Sequence, residues 1–263
     1  MKKLFISLAM VFGLTSSAFA QTEFGVFNHV SAGVGVGILT GGTIELAAPI
    51  TKYVAVRAGY NFIPNLKLKT DLELPLDEVP KGYTLNVPDE VEVEGKLSMS
   101  TGHLLFDIYP FGTGLHLTAG AYFGSEKLVS VYNTQDGILQ DVYDYNHRRG
   151  NYAPVPDSYG MIGLELGDYL VEPDQDGNAE ASIKVNSFRP YLGIGFGRAV
   201  PAKHRLAVTF DMGVQFWGSP GVYVQDKKLD KSDIEGDGGD ALKTLSKITV
   251  CPVLSLKLVG RIF

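Results

Sequence analysis

The chain is expected to fold as an all-β protein, an eight-stranded antiparallel up-and-down transmembrane β-barrel. Three observations carry that expectation. Eight segments alternate apolar residues with polar ones or glycine at period two, the mark of strands with two unlike faces. All but the second have about nine to eleven residues, the length that crosses a bilayer at a ~45° tilt. The links between them alternate short and long, as in barrels whose rims face different compartments. A ten-stranded barrel is the alternative, because "MIGLELGDYLVEP" (Met161 to Pro173) can supply one more hairpin and a bulge fits near Gly102.

The first strand lies in "VSAGVGVGILTGG", where Val30, Ala32, Val34, Val36 and Ile38 share one face and Ser31, Gly33, Gly35 and Gly37 the other. A phosphate-cradling G-x-G-x-x-G would need a third glycine where the chain has Ile38 or Thr40, so the glycines belong to a strand. The second, Thr43 to Pro49, sets Ile44, Leu46 and Ala48 opposite Glu45. In the third, Val54, Val56, Ala58, Tyr60 and Phe62 oppose Arg57, Gly59 and Asn61. The fourth opposes Leu104, Phe106 and Ile108 to His103 and Asp107, and the fifth Leu117, Ala119, Ala121 and Phe123 to His116, Thr118, Gly120 and Tyr122.

The sixth, "FRPYLGIGFGR", places Leu192, Ile194 and Phe196 opposite Arg189, Tyr191, Gly193 and Gly195. In the seventh, Val208, Phe210, Met212 and Val214 oppose Thr209, Asp211, Gly213 and Gln215. The eighth, "VLSLKLVGRIF", opposes Leu254, Leu256, Leu258 and Ile262 to Ser255, Lys257 and Arg261. The links "PITK", "FGTG" and "PAKH" are short, whereas residues 64–97, 133–186 and 218–247 form long polar loops assigned to the cell surface. Both termini then fall on the short-turn rim.

Lys2 and Lys3, an apolar run from Leu4 to Leu14 and Ala18-Phe19-Ala20 read as a signal peptide over residues 1–20, leaving a single barrel domain over 21–263. Losing the two lysines takes the net charge from −6 to −8. Gln21 stands where a lipoprotein would carry cysteine, and Cys251, the one cysteine, has no intramolecular disulfide partner. No later segment approaches the ~18 apolar residues of a spanning helix, but a closed barrel also satisfies its backbone within a bilayer. A soluble carrier would need the inverse assignment, with the apolar face inward.

"YVAVRAGYNFIP" (Tyr53 to Pro64), "VNSFRPYLGIGFGRAVP" (Val185 to Pro201), "MGVQFWGSP" (Met212 to Pro220) and the ending "LKLVGRIF" carry a resemblance. The chain resembles the eight-stranded outer-membrane β-barrel proteins of Gram-negative bacteria, and more closely an uncharacterised outer-membrane barrel family of Bacteroides-type organisms. The resemblance implies an outer-membrane location and an aromatic end, Phe263, read by the barrel-insertion machinery. It implies no activity.

Charges facing a narrow lumen are costly unless paired. Their heights on the strands pair Arg57 with Asp107 and Asp211 with Lys257, with Glu45 and Arg189 joining a higher layer. Inward glycines would make room for Tyr122, Tyr191 or Trp217, and eight strands leave just enough space for side chains to fill. The expected function is therefore a non-enzymatic outer-membrane protein with an occluded lumen, in a structural or surface-interaction role. A small porin or conduit for small or apolar solutes is the alternative, and a lipid-modifying enzyme comes third.

His29-x-Ser31 has the spacing of an activated serine but starts a strand on the wrong rim, so no catalytic residue is assigned. The acidic stretches Asp174 to Glu180 and Asp233 to Asp240 lack the spacing of a calcium loop, and no metal or cofactor is expected. "HRRG" (His147 to Gly150) is too isolated for nucleic acid. The expected contacts are outer-membrane lipid, the insertion machinery and an extracellular partner through the acidic loops, with the chain a monomer.

Overall fold

A computed structural model describes residues 26–63, 67–156, 158–166, 169–202, 204–229, 244 and 246–262. The expected signal peptide, Phe263 and the acidic stretch 233–240 lie outside them. The first half of the chain forms β1 (Ser31–Ile38), β2 (Gly41–Thr51), β3 (Val54–Phe62), β4 (Lys67–Glu73), β5 (Glu90–Leu97), β6 (Thr101–Ile108), β7 (Leu115–Gly124) and β8 (Lys127–Asn133). Helix α1 (Gln140–Asn146) follows, then β9 (Leu164–Leu166), β10 (Tyr169–Val171), β11 (Glu180–Lys184) and β12 (Phe188–Phe196). β13 (Leu206–Phe216), β14 (Gly221–Val224), β15 (Lys227–Lys228) and β16 (Val250–Arg261) complete the order.

Eight strands close a barrel in the order β1-β2-β3-β6-β7-β12-β13-β16, and β16 returns to β1 from Ser31↔Arg261 to Ile38↔Leu254. Every neighbour pair is antiparallel. The ten-stranded alternative is not formed: β9 and β10 pair only with each other, as a separate hairpin. Nor does a bulge interrupt the strand at Gly102, since β3 and β6 stay in register from Val54↔Ile108 to Asn61↔Thr101.

Alternation sends the greasy face outward. Val34, Val36, Ile44, Leu46, Phe106, Leu192, Phe196, Phe210, Leu256 and Leu258 are all exposed, while Glu45, Arg57, His103, Asp107, His116, Asp211 and Lys257 are buried. That is a barrel with oil outside and ions inside, the partition that suits lipid rather than water around the belt.

The segments expected as polar loops, together with β8 just ahead of the second of them, hold a second sheet, ordered β15-β14-β11-β8-β5-β4. Its neighbour order follows that of the barrel strands feeding it, β3 into β4, β5 into β6, β7 into β8, β11 into β12 and β13 into β14. The wall of the barrel therefore continues above the rim as a cap. Over β1 and β2 it stops at a tight turn, where Gly41 takes a left-handed φ of 69°. One face of the cap sheet carries Val91, Val93, Ala181 and Val224 into a core with Leu139, Val142 and Tyr145 of the α1 segment and Leu164 and Val171 of the β9–β10 hairpin. Leu139, Val142 and Tyr145 recur at helical spacing, so α1 offers one apolar stripe to that core.

The opposite, exposed face is laced by cross-strand ion pairs: Lys67–Glu94 at 2.8 Å, Lys69–Glu92 at 2.9 Å, Lys127–Glu180 at 2.6 Å and Lys184–Asp226 at 2.6 Å. Tyr132 on β8 also donates to Glu94.

Candidate functional site: an ionic plug in the barrel

The lumen is crossed by a network built on Arg57. Its guanidinium meets Asp107 of the neighbouring β6 at 2.7 Å and reaches across to Asp211 of β13 with two bonds of 3.1 Å. The fork geometry of arginine makes that bidentate grip. Thr118 on β7 accepts from Arg57 at 3.2 Å and donates to Asp107 at 2.8 Å. Lys257 on β16 sits 3.0 Å from both Glu45 and Asp211, and Glu45 lies 3.7 Å from Arg57.

Two histidines that pairing by height did not include complete the network. His103 bridges Asn61 and Glu45, its Nδ1 lying 3.1 Å from the Asn61 amide nitrogen and its Nε2 3.3 Å from the Glu45 carboxylate. His116 differs: Nε2 faces Asp211 at 2.9 Å and Nδ1 faces the Gly114 carbonyl at 3.1 Å. Two acceptors call for two N–H donors, so this ring is satisfied as imidazolium. Arg57, Lys257 and His116 then balance Glu45, Asp107 and Asp211. Asn61 continues the chain upward, accepting from Thr43 at 2.7 Å and donating to Thr101 at 3.1 Å.

Of the six network residues expected from sequence, five meet here. Arg189 is the correction. It stands at the upper end of β12, buried, and donates to the Asn186 and Ser125 carbonyls at 2.9 and 2.6 Å. No carboxylate pairs with it among the described residues; backbone carbonyls at the barrel–cap junction take that role. Trp217 also departs from expectation, since its Nε1–H donates to the Ile248 carbonyl beyond the strands instead of filling the lumen.

The inward glycines do make room, chiefly for other groups. A Cβ at Gly35 would run into the Lys257 side chain, and one at Gly195 into the His116 ring. Gly193 and Gly213 both lie against Tyr191, whose ring packs edge-on to Tyr122 at 5.3 Å. What remains beside the network is a cavity of about 10 Å³ lined by Thr40, Glu45, Arg57 and Ser255 among others. That is room for one water; Arg57 Nε and Thr40 Oγ1 have no hydrogen-bond partner among the described residues.

The floor is closed separately. The turn after β12 tucks Ala199 and Val200 against Ala47, and Ser31 donates to the Ala199 carbonyl at 2.5 Å. Ser31 is thus tied into the floor by its hydroxyl. The Ala199 N–H donates to the Tyr109 hydroxyl at 3.0 Å, which in turn donates to Asp107 at 3.3 Å. Arg198 binds the Gly112 and Lys52 carbonyls at 2.8 and 2.7 Å, joining three turns.

Among the described residues, one group gathers three ligand-type side chains within 4.8 Å: Asp107, His116 and Asp211. Arg57 already supplies the positive charge between those carboxylates, so the donor set is spent on an internal cation. In the cap, Asp174 spends its carboxylate on the N–H groups of Asp176 and Asn178 at 3.0 and 2.9 Å.

No protein-family model matches this chain, and no curated protein matches it. Two solved structures from Acinetobacter baumannii are similar to it. CarO2 is 17% identical with a TM-score of 0.44, covering 89% of this chain and 98% of its own. CarO is 15% identical with a TM-score of 0.42, covering 91% and 99%.

Proposed function

We propose that the chain is a non-enzymatic outer-membrane barrel protein, of the Bacteroides-type kind its sequence resembles, that presents a folded platform at the cell surface above a lumen closed to solutes. One observation carries the reading: the exposed face is apolar around the barrel and charged on the cap that continues the same wall. An aqueous protein has no reason to expose Val36, Phe196 and Phe210 while burying three carboxylates. The partners that follow are membrane lipid around the belt, the insertion machinery during assembly and a surface contact through the cap.

A conduit would need free volume across the lumen. The Arg57 network, the two tyrosines and the Ala199 floor fill that space instead. Spin labels replacing Phe106, Phe196 and Phe210 in vesicles should be relaxed by oxygen and shielded from a water-soluble nickel chelate, with a label at Lys69 showing the reverse. Labels on the belt that prefer nickel would end the membrane reading, and discrete conductance steps in planar bilayers would end the closed-lumen reading.

A further inference from the structure

The cap sheet ends at β4, whose residues from Lys67 to Asp71 are exposed and whose outer edge pairs with no strand among the described residues. Such an edge presents a row of unused backbone donors and acceptors, and natural proteins ordinarily blunt it. The sequence of this one, "KLKTDLE", has a particular symmetry. Laid antiparallel on a second copy about Thr70, it places Lys67 opposite Glu73, Leu68 opposite Leu72 and Lys69 opposite Asp71, with Thr70 meeting itself. Laid parallel in register, it sets lysine on lysine and carboxylate on carboxylate.

The side chains are free to use that match. Asp71 and Glu73 have no ion-pair partner among the described residues, and Lys67 and Lys69 are each about half exposed despite their pairs with Glu94 and Glu92. Leu68 is 76% exposed, the most open large apolar residue described, and it lies on the same strand face as Leu72, which packs on the cap core. Pairing would cover Leu68 and extend that core across the joint. Opposite charges facing each other across strands favour pairing, and like charges oppose it.

We propose that β4 is a self-recognition edge, joining two copies of this chain antiparallel about Thr70. The geometry also fixes where the second copy sits. The two-fold axis relating antiparallel neighbours runs normal to their sheet, so the interface is the same patch on both copies. The cap sheet continues the barrel wall, so this normal lies in the plane of the membrane. The second copy is therefore inverted, with its barrel in a facing membrane. The pairing is a contact between envelopes, deepening the surface role proposed above and resting, for its facing-membrane part, on the membrane reading. One seven-residue edge buries little surface, so each contact is weak and many copies act together.

The test uses the full chain with Thr70→Cys; Cys251 is buried and out of reach. In detergent, mild oxidation should yield a disulfide-linked dimer, while Leu68→Cys, four residues out of register with itself, should give at least tenfold less. In vesicles with the cap outward, scored by protease access, the unmodified chain should cause clustering. Lys69→Glu should abolish clustering, and Lys69→Glu with Asp71→Lys, which restores the symmetry with charges exchanged, should bring it back. The detergent experiment is independent of the membrane reading, whose own failure would appear as protein that does not float with vesicles. No cross-link at position 70, or no rescue by the double reversal, overturns the pairing. Cross-linking with vesicles that take up the protein and stay apart overturns the facing-membrane arrangement.

Discussion

Barrel and cap share a wall and reverse its chemistry. Below the rim, β6 turns Phe106 outward and Asp107 inward; above it, β5 exposes Glu90 and buries Val91. Both halves are antiparallel sheets with period-two alternation, so geometry alone does not distinguish them. What differs is the medium each exposed face must satisfy. The barrel keeps its polar groups in a closed network where each ion has partners. The cap keeps its ions on the wet face, where salt and water weaken every pair, and takes its cohesion from apolar packing.

The comparison breaks first at Arg57. Removing this guanidinium leaves Asp107 and Asp211 facing each other in the lumen, and loss of one partner from a buried ion network costs about 3–5 kcal/mol. Arg57→Ala should therefore lower the urea midpoint of the folded barrel, read by its heat-modifiable gel mobility, while the cap retains its protease resistance. A smaller, local loss is expected from Leu139→Ala, which empties a fully buried site in the cap core. The change should cost about 2–4 kcal/mol, within the range for Leu→Ala. It should open the cap to protease and leave gel mobility unchanged. Joint failure of both halves in either variant would show that they unfold as one unit.

The smallest effect is one of pH. The hydrogen bond from Lys69, backed by Thr134, holds Glu92 below the usual glutamate range; Lys67 and Tyr132 do the same for Glu94, and Lys184 for Asp226. Carboxylates depressed in the folded state contribute stability above their unfolded pKa and lose it as pH falls through the folded value. The protection factors of the β4 and β5 amides, each observed exchange rate compared with the intrinsic rate at the same pH, should therefore fall as pH drops below about 4, near the unperturbed glutamate value. Because each pair has at least one side chain open to solvent, the change should be modest and should shrink in high salt. Protection factors that stay flat down to pH 3 would show that the pairs add nothing.

The eight barrel strands were legible because each sets large apolar residues against glycine or polar ones, so face and period are read together. The cap strands alternate as well, in "EVEVEGKL" and "KLKTDLE", but their charges resemble those of solvated loops. Their pairing also crosses between links: β5 from the first meets β8, which leads into the second, and β14 from the third meets β11 from the second. Nothing local in sequence announces such long-range partners.

The same limit shaped the site. Arg57 and Asp107 were readable because they sit on neighbouring strands at matching heights. The reach of Arg57 to Asp211 across the lumen depends on how the closed ring staggers its strands. His103 and His116 showed their inward parity in sequence, and only their positions revealed which carboxylates they meet. Arg189 was misassigned because its inward face implied a charge partner, whereas the breaks between β7 and β8 and between β11 and β12 free the two carbonyls that hold it.

Lys257 ties Glu45 on β2 to Asp211 on β13, bridging over the joint where the first and last strands of the ring meet. A slip of one residue at that joint would turn the lysine out of the lumen and take one cation from both carboxylates, because each step along a strand exchanges its faces. The ammonium thus works as a latch, fitting one register at the place where the ring closes.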